Sequence, residues 1–213
     1  MTRSIVIGAT GLVGRNVLEQ LTDRGDSAIA VVRKPLEDLP SNVEILKVNF
    51  DEFLINGTLP PCDQIFICLG TTIKKAGSQT AFKKIDFDCS LGLARKGRAA
   101  GATEISLVSS VGADSNSKNF YLRTKGQLEE AIQQIGFSSV NIYRPGLLIG
   151  VRKEKRFAEK IGQALAKVVD PLLAGSLSRY RSVSAKLLAK TMVNRSAGGT
   201  GVQYFYFKDF NCD

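Results

Sequence analysis

The chain contains no histidine and no tryptophan. Without histidine, imidazole acid–base catalysis, histidine-based triads and nearly all common zinc sites are excluded. The four cysteines, Cys62, Cys68, Cys89 and Cys212, show no C-x-x-C pairing, so neither a disulfide nor a structural metal is expected. Cys68 falls in the apolar run Gln64-Ile65-Phe66-Ile67-Cys68-Leu69, where a buried free thiol is expected. No apolar run approaches the ~20 residues that a bilayer span requires. Too few residues precede Gly8 to form a secretory signal. These absences predict a cytoplasmic protein with no membrane insertion.

What is present is an ordinary globular composition, with 213 residues, 44% hydrophobic and 23% charged. A chain of this size buries roughly 70% of its unfolded surface and needs no staples. The net charge is +9 but unevenly placed. Residues 1–150 carry 17 basic and 15 acidic side chains, whereas residues 151–213 carry 12 and 5. The excess belongs to the C-terminal part.

Hydrophobic periodicity alternates between two patterns. Short apolar runs at Ser4–Ile7, Ala28–Val32, Val43–Val48, Gln64–Leu69, Glu104–Ser109 and Ser139–Arg144 read as strands. Helical spacing occupies Leu12–Leu21, roughly 79–100, and Phe120–Ile135 before Gly136. Strands alternating with helices predict a doubly wound α/β domain with a parallel sheet of about seven strands. After Pro145 a basic amphipathic helix is expected over Val151–Asp170, then a helix near Ser184–Asn194 and a last strand at Gln203–Phe207. The whole of 1–213 reads as one domain, with 146–213 forming a small substrate lobe.

Gly8-Ala9-Thr10-Gly11-Leu12-Val13-Gly14 follows the first strand and opens the first helix. Such a turn lets backbone approach a pyrophosphate, and the helix N-terminus supplies free N–H groups and positive dipole. The spacing is G-x-x-G-x-x-G rather than the commoner G-x-G-x-x-G. Sites that prefer NAD place a carboxylate about 20 residues further on. Here the second strand ends Val31-Val32-Arg33-Lys34, and a guanidinium suits a 2′-phosphate. NADP (as NADPH) is therefore expected in preference to NAD.

Tyr121 and Lys125 form a Y-x-x-x-K pair, whose i, i+4 spacing sets both side chains on one helical face. They follow Val108-Ser109-Ser110-Val111-Gly112-Ala113-Asp114, a strand ending in serines beside a glycine turn. With Cys68-Leu69-Gly70-Thr71-Thr72, Lys125-Gly126, Glu129 and Arg144-Pro145-Gly146, the chain resembles the short-chain dehydrogenase/reductase superfamily. It is most similar to the atypical NADP-binding group that includes the Tat-interacting oxidoreductases and uncharacterised bacterial relatives. The likeness is strong over about 1–150.

The resemblance implies that Tyr121 is the general acid or base, with Lys125 lowering its pKa and bonding the nicotinamide ribose. Ser110 would hold the substrate oxygen, and sequence does not separate it from its neighbour Ser109. Gly8, Thr10, Gly11, Leu12 and Val13 would line the pyrophosphate, and Arg33 and Lys34 the 2′-phosphate. Asp51 would sit by the adenine, Leu69, Gly70 and Thr71 by the adenosine ribose, and Pro145 by the nicotinamide. Two functions follow from this set: an NADP-dependent oxidoreductase acting on a carbonyl or alcohol, or a catalytically silent NADP(H)-binding redox sensor.

The basic third suits a small anionic substrate, with Arg152, Lys153, Arg156, Arg179 and Arg181 as candidates. Only Phe157 and Tyr180 interrupt these residues, which argues against a specific nucleic-acid partner. A monomer or homodimer is expected.

Overall fold

In the computed structural model, residues 2–34, 39, 42–150, 170, 173–196 and 199–210 are described. The strands are β1 (Arg3–Ile7), β2 (Ser27–Val32), β3 (Val43–Lys47), β4 (Gln64–Ile67), β5 (Glu104–Val108), β6 (Ser139–Tyr143), β7 (Leu148–Ile149), β8 (Val183–Ser184) and β9 (Gly201–Phe205). The helices are α1 (Leu12–Asp23), α2 (Phe50–Asn56), α3 (Ile73–Ala76), α4 (Gln79–Lys83), α5 (Ser90–Ala99), α6 (Phe120–Gln133), α7 (Ala185–Arg195) and α8 (Phe207–Phe210). A π-helical stretch, Lys84–Cys89, joins α4 to α5.

The main sheet has seven strands in the order β3-β2-β1-β4-β5-β6-β9. Every pairing in it is parallel. Parallel strands need both faces covered, and alternate side chains along each strand serve the two cores. Val6, Ala30, Phe66 and Tyr143 face α1 and α7, where Val17, Leu18, Leu21, Leu188 and Met192 pack. Ile5, Ile7, Ile65, Ile67 and Leu107 face α5 and α6, meeting Leu93, Ala94, Leu128 and Ile132. Each buried Val, Leu, Ile, Phe or Met among them contributes about 1.5–3 kcal/mol by leaving water. This is the Rossmann-like α/β architecture expected from the alternation of periods.

The strand order reverses between β1 and β4. In open α/β sheets the crevice at that reversal, beyond the C-terminal ends of the strands, is where ligands bind. The glycine turn after β1 and the Cys68-Leu69-Gly70 segment after β4 flank it.

Local signals place the elements that carry the site. Asn119 caps α6 by accepting from the Leu122 N–H at 3.2 Å, which sets Tyr121 in the first helical turn. Thr72 and Ser78 cap α3 and α4 in the same way.

Several expectations shift. The last strand lies at Gly201–Phe205, two residues earlier than predicted at its start and end. Tyr206 leaves the strand because its N–H goes to the Asp209 carboxylate at 2.7 Å, which starts the turn of α8. The aromatic run Tyr204–Phe207 thus straddles an element boundary, although its composition reads as one strand. The helix expected over roughly 79–100 is present but is interrupted by the π-helical stretch. Short helices α2 and α3 were not anticipated, since neither has a buried residue to produce an apolar period. The basic helix expected over Val151–Asp170, with Arg152, Lys153 and Arg156, lies outside the described residues apart from Asp170.

Beyond β6 the chain folds back over the strand ends. Gly146 passes so close to the turn Gly175–Tyr180 that a Cβ there would lie 2.4 Å from the Arg181 carbonyl oxygen. β7 and β8 pair in parallel. Gly150, just after β7, lies against the Leu12 side chain at the start of α1.

Candidate active site

The glycine turn is built by close approach. Gly8 has φ of +81°, and a Cβ there would lie 2.6 Å from the Cys68 carbonyl oxygen. Both the backbone conformation and the contact with the end of β4 demand glycine. Gly14 lets α1 pack on the turn, since its Cβ would lie 2.4 Å from the Gly8 carbonyl oxygen. The Gly11 N–H closes the turn on the Gly8 carbonyl at 2.8 Å. The first-turn N–H groups of α1 have no helical partner. Such a cradle fits a pyrophosphate.

On the far side of the crevice, α6 lies beside the helix that follows β4. Tyr121 sets its ring 5.6 Å from that of Phe82 on α4. One turn further along each helix, the Lys125 ammonium lies 2.7 Å from Asp86 Oδ1 in the π-helical stretch. These i, i+4 steps stack two rungs on facing helices. Asp86 is fully enclosed and the Lys125 side chain is 4% exposed. The second Asp86 oxygen, Oδ2, accepts from the Thr71 N–H at 2.9 Å. One carboxylate thus ties Lys125 to the loop after β4.

Gly126 completes this region. A Cβ there would lie 2.2 Å from the Ser115 nitrogen, so glycine lets the loop after β5 cross α6 beside Lys125.

The two strand-end serines have different surroundings. Ser109 is buried and its hydroxyl donates to Glu129. Arg144 also donates to Glu129, from Nε at 3.0 Å and from Nη2, and its Nη1 donates to the Tyr206 hydroxyl at 3.0 Å. Burial opposes the Arg144 charge, but the bonds to Glu129 and its carboxylate outweigh this and push the guanidinium above its ordinary range. Ser110 is half-buried, and its hydroxyl makes only a long contact, 3.3 Å, to the Val111 carbonyl. Ser109 thus belongs to the network joining β5, α6 and β6, whereas Ser110 has a hydroxyl without a strong partner among the described residues.

The NAD(P)H-binding family matches residues 8–170, from the glycine turn through β6 and beyond. The chain belongs to that family. Among curated relatives it is similar to "Protein fmp52, mitochondrial" of Aspergillus niger, 32% identical over 231 residues, covering 98% of this chain and 97% of that protein. "Protein FMP52, mitochondrial" of Candida albicans is 32% identical over 174 residues, with 78% and 74% covered. Among solved structures, a Thermotoga maritima UDP-glucose 4-epimerase with UDP-glucose superposes with TM-score 0.69 at 16% identity, over 96% of this chain and 76% of that one. The human epimerase family protein SDR39U1 with NADPH gives 0.67 at 19% identity, over 96% and 74%. These neighbours show the fold of the epimerase and short-chain dehydrogenase/reductase superfamily. The chain is thus a member of the NAD(P)H-binding family with a Rossmann-like fold. The expected cytoplasmic location is overturned by relatives named as mitochondrial. The physical reason is that the shortage of long apolar runs carries no information about the compartment.

The structure gathers most of the predicted residues at one end of the sheet. Thr10 and Gly11 are exposed, Gly8 and Leu12 half-buried, and the Val13 side chain sits in the core, leaving only its backbone to the crevice. Leu69, Gly70 and Thr71 follow β4, and buried Pro145 follows β6. Exposed Arg33 and Lys34 follow β2. Asp51, at the start of α2, forms an ion pair with Lys84 at 2.9 Å. The Cys89 thiol is pushed up by burial, Asp51 and Asp88, while Lys84 and Arg33 pull it down. Of the basic candidates in the lobe, Arg181 is engaged, its Nε donating to the Leu173 carbonyl at 2.7 Å, and Arg179 is exposed.

Two residues central to this geometry, Asp86 and Lys84, were missed. Asp86 carried a readable signal: it follows Phe82 by four residues, an acid placed on the buried stripe that continues to Leu93.

Proposed function

We propose that this protein is an NADP-dependent oxidoreductase of the short-chain dehydrogenase/reductase type, interconverting a carbonyl and an alcohol on a small molecule. The observation that carries the reading is the pair of stacked rungs, Tyr121 on Phe82 and Lys125 on Asp86, with Asp86 tied to the loop after β4 by the Thr71 N–H.

The glycine turn and the N-terminus of α1 would hold the pyrophosphate, Asp51 would sit by the adenine, and Leu69, Gly70 and Thr71 would flank the adenosine ribose. Arg33 and Lys34, free of a carboxylate neighbour in sequence, suit a 2′-phosphate. When bound, the dihydronicotinamide supplies the hydride. Tyr121 would donate its phenolic proton to the carbonyl oxygen as negative charge develops there. Lys125 would stabilise the resulting phenolate and bond the nicotinamide ribose. Ser110, rather than Ser109, would orient the substrate oxygen, because Ser109 already donates to Glu129. Pro145 would close the nicotinamide side. The segment 146–213 would contribute a substrate lobe, with Arg179 available to an anionic group. The mitochondrial relatives support the same compartment for this chain.

Titration with NADPH and NADH, followed by nicotinamide fluorescence, tests the reading. Preference for NADPH that collapses in Arg33→Ala, with a carbonyl panel turned over by wild type but not Tyr121→Phe, is the expected result. Binding of neither nucleotide overturns it.

A further inference from the structure

Seven large apolar side chains stay exposed among the described residues, and three of them gather just beyond the end of β6. Leu147 is 53% exposed, Leu177 50% and Tyr180 42%. The other four are spread over β3, α2 and β9. Scattered apolar residues are ordinary on a protein surface, whereas a gathered set marks a contact.

The backbone brings the three together. The turn Gly175–Tyr180 is a 3₁₀ helix, in which side chains three residues apart eclipse, so Leu177 and Tyr180 share a face. Gly146 is pressed against the end of that turn, where a Cβ would lie 2.5 Å from the Tyr180 carbonyl oxygen and 2.4 Å from that of Arg181. Leu147 comes next, and its carbonyl accepts from the Val183 N–H at 2.8 Å. Leu148 then packs on the core around α1 and α7, while Leu147 stays outside it.

This apolar surface borders the site proposed above. The Pro145 carbonyl accepts from the Val111 N–H at 2.9 Å, which seats Pro145 beside Ser110. Leu147 follows two residues later, within about 7 Å of chain. Gly150 lies against Leu12 of the glycine turn. The stretch 145–150 therefore runs from beside Ser110 to the glycine turn, with Leu147 in between.

The charge around the surface has one sign. Neither 145–150 nor 173–184 contains an acidic residue. Asp170, ahead of the turn, is taken by the Ser182 N–H at 3.1 Å and by the Ser182 hydroxyl. Arg181 is engaged by the Leu173 carbonyl. Arg179 is exposed, with its guanidinium 5.5 Å from the Tyr180 ring. A cation at the rim of an apolar surface matches a molecule with an apolar body and an anionic end. A sugar would leave its hydroxyls without partners against Leu147, Leu177 and Tyr180.

We propose that the substrate is an aliphatic oxo acid of medium chain length, with its carbonyl and carboxylate at opposite ends. The carbonyl lies at Tyr121 and Ser110, the methylenes lie on Leu147, Leu177 and Tyr180, and the carboxylate meets Arg179. This rests on the oxidoreductase reading above and names its substrate class. The reaction is a two-electron reduction: a hydride passes from NADPH to the carbonyl carbon, and the Tyr121 proton passes to the carbonyl oxygen. The products are the hydroxy acid and NADP, and solvent returns the proton to Tyr121.

The test measures kcat/KM for unbranched aldehydes of four, six and eight carbons and for oxo acids of the same lengths. It compares wild type, Leu147→Ser/Leu177→Ser and Arg179→Gln. In wild type kcat/KM rises about two- to fourfold for each methylene laid on the surface, so eight carbons exceed four by about tenfold or more. In the leucine double variant that rise falls below about threefold. The eight-carbon oxo acid exceeds the aldehyde by about fivefold, the upper end for an exposed ion pair, and Arg179→Gln removes the advantage. Calorimetric titration of 8-hydroxyoctanoate with NADP present gives a readout apart from turnover, and both variants bind it more weakly than wild type. All three replaced side chains are exposed, so both variants melt with wild type.

Wild-type turnover that ignores chain length overturns the inference, as does a rise that survives in the leucine double variant. An oxo-acid preference that survives Arg179→Gln overturns it too. So does a leucine double variant that keeps the chain-length dependence but loses binding to phosphatidylglycerol vesicles or loses self-association. Each of these leaves the oxidoreductase reading standing. Wild type that binds no NADPH and reduces no carbonyl overturns that reading and this inference together.

Discussion

Replacing Arg144 by methionine removes the centre of a buried network while keeping an apolar stem of similar length. Lost are the links from Nε at 3.0 Å and from Nη2 to Glu129, and the bond from Nη1 to the Tyr206 hydroxyl at 3.0 Å. Glu129, 2% exposed, keeps only Ser109 as a side-chain donor. Removing one partner of a fully buried pair costs about 3–5 kcal/mol. Arg144 is 19% exposed, so water can partly reach the vacated site and the lower bound applies, about 3 kcal/mol. In a chain of this length each kcal/mol lowers the midpoint by about 2–4 °C, giving a fall in Tm of about 6–12 °C. Circular dichroism melts and urea unfolding at pH 7 measure both quantities. Replacing Glu129 by leucine in the same chain removes the orphaned carboxylate and should recover at least half of the loss. A loss under about 1 kcal/mol for Arg144→Met, the value of an exposed pair, would refute the claim that this network holds the ends of β5 and β6 together. A double variant as unstable as the sum of the singles would refute it as well.

Three further outcomes follow from particular contacts. Gly8→Ala introduces a Cβ 2.6 Å from the Cys68 carbonyl at a φ of +81°. It should cost about 1–3 kcal/mol and weaken NADPH binding more than tenfold, read by thermal melts and fluorescence titration. Ser109→Ala leaves Glu129 short of a donor and should destabilise by about 1–2 kcal/mol, whereas Ser110→Ala should leave Tm unchanged and weaken carbonyl turnover. Cys68 rises from an ordinary 9.0 to about 12 on burial. The unfolded thiol therefore ionises first, so stability is present in full below pH 9 and is lost as pH rises from about 9 to 12. Cys68→Ala should flatten that part of the alkaline stability curve, measured by urea unfolding at steps from pH 8 to 11.

Much of this protein is written locally. Buried runs such as Ser4–Ile7 and Ala28–Val32, alternating with α1 and α6, carry the doubly wound class because parallel strands must be apolar on both faces. The glycine turn is legible because positive φ and close approach leave glycine as the permitted residue. The Tyr121–Lys125 spacing is a property of one helix, as is the capping Asn119. Elements without such a local signature escaped. α2 and α3 have no buried face, and the end of the last strand is decided by Asp209 capping Tyr206 rather than by the aromatic run itself.

Contacts between distant segments were decided by tertiary structure alone. Ser109 and Ser110 are adjacent and chemically identical, and they differ because Glu129, brought by α6 and held by Arg144 at the end of β6, accepts from one of them. Asp86 and Lys125 are 39 residues apart in sequence and become partners only because helices following β4 and β5 lie side by side. Gly126 has no positive φ to advertise it, and its need is set by a loop crossing the helix. Periodicity and turn chemistry report what a residue needs from its immediate neighbours along the chain. Which buried polar group meets which is fixed by the packing of elements, and the sequence pattern of one element does not contain its partner's position.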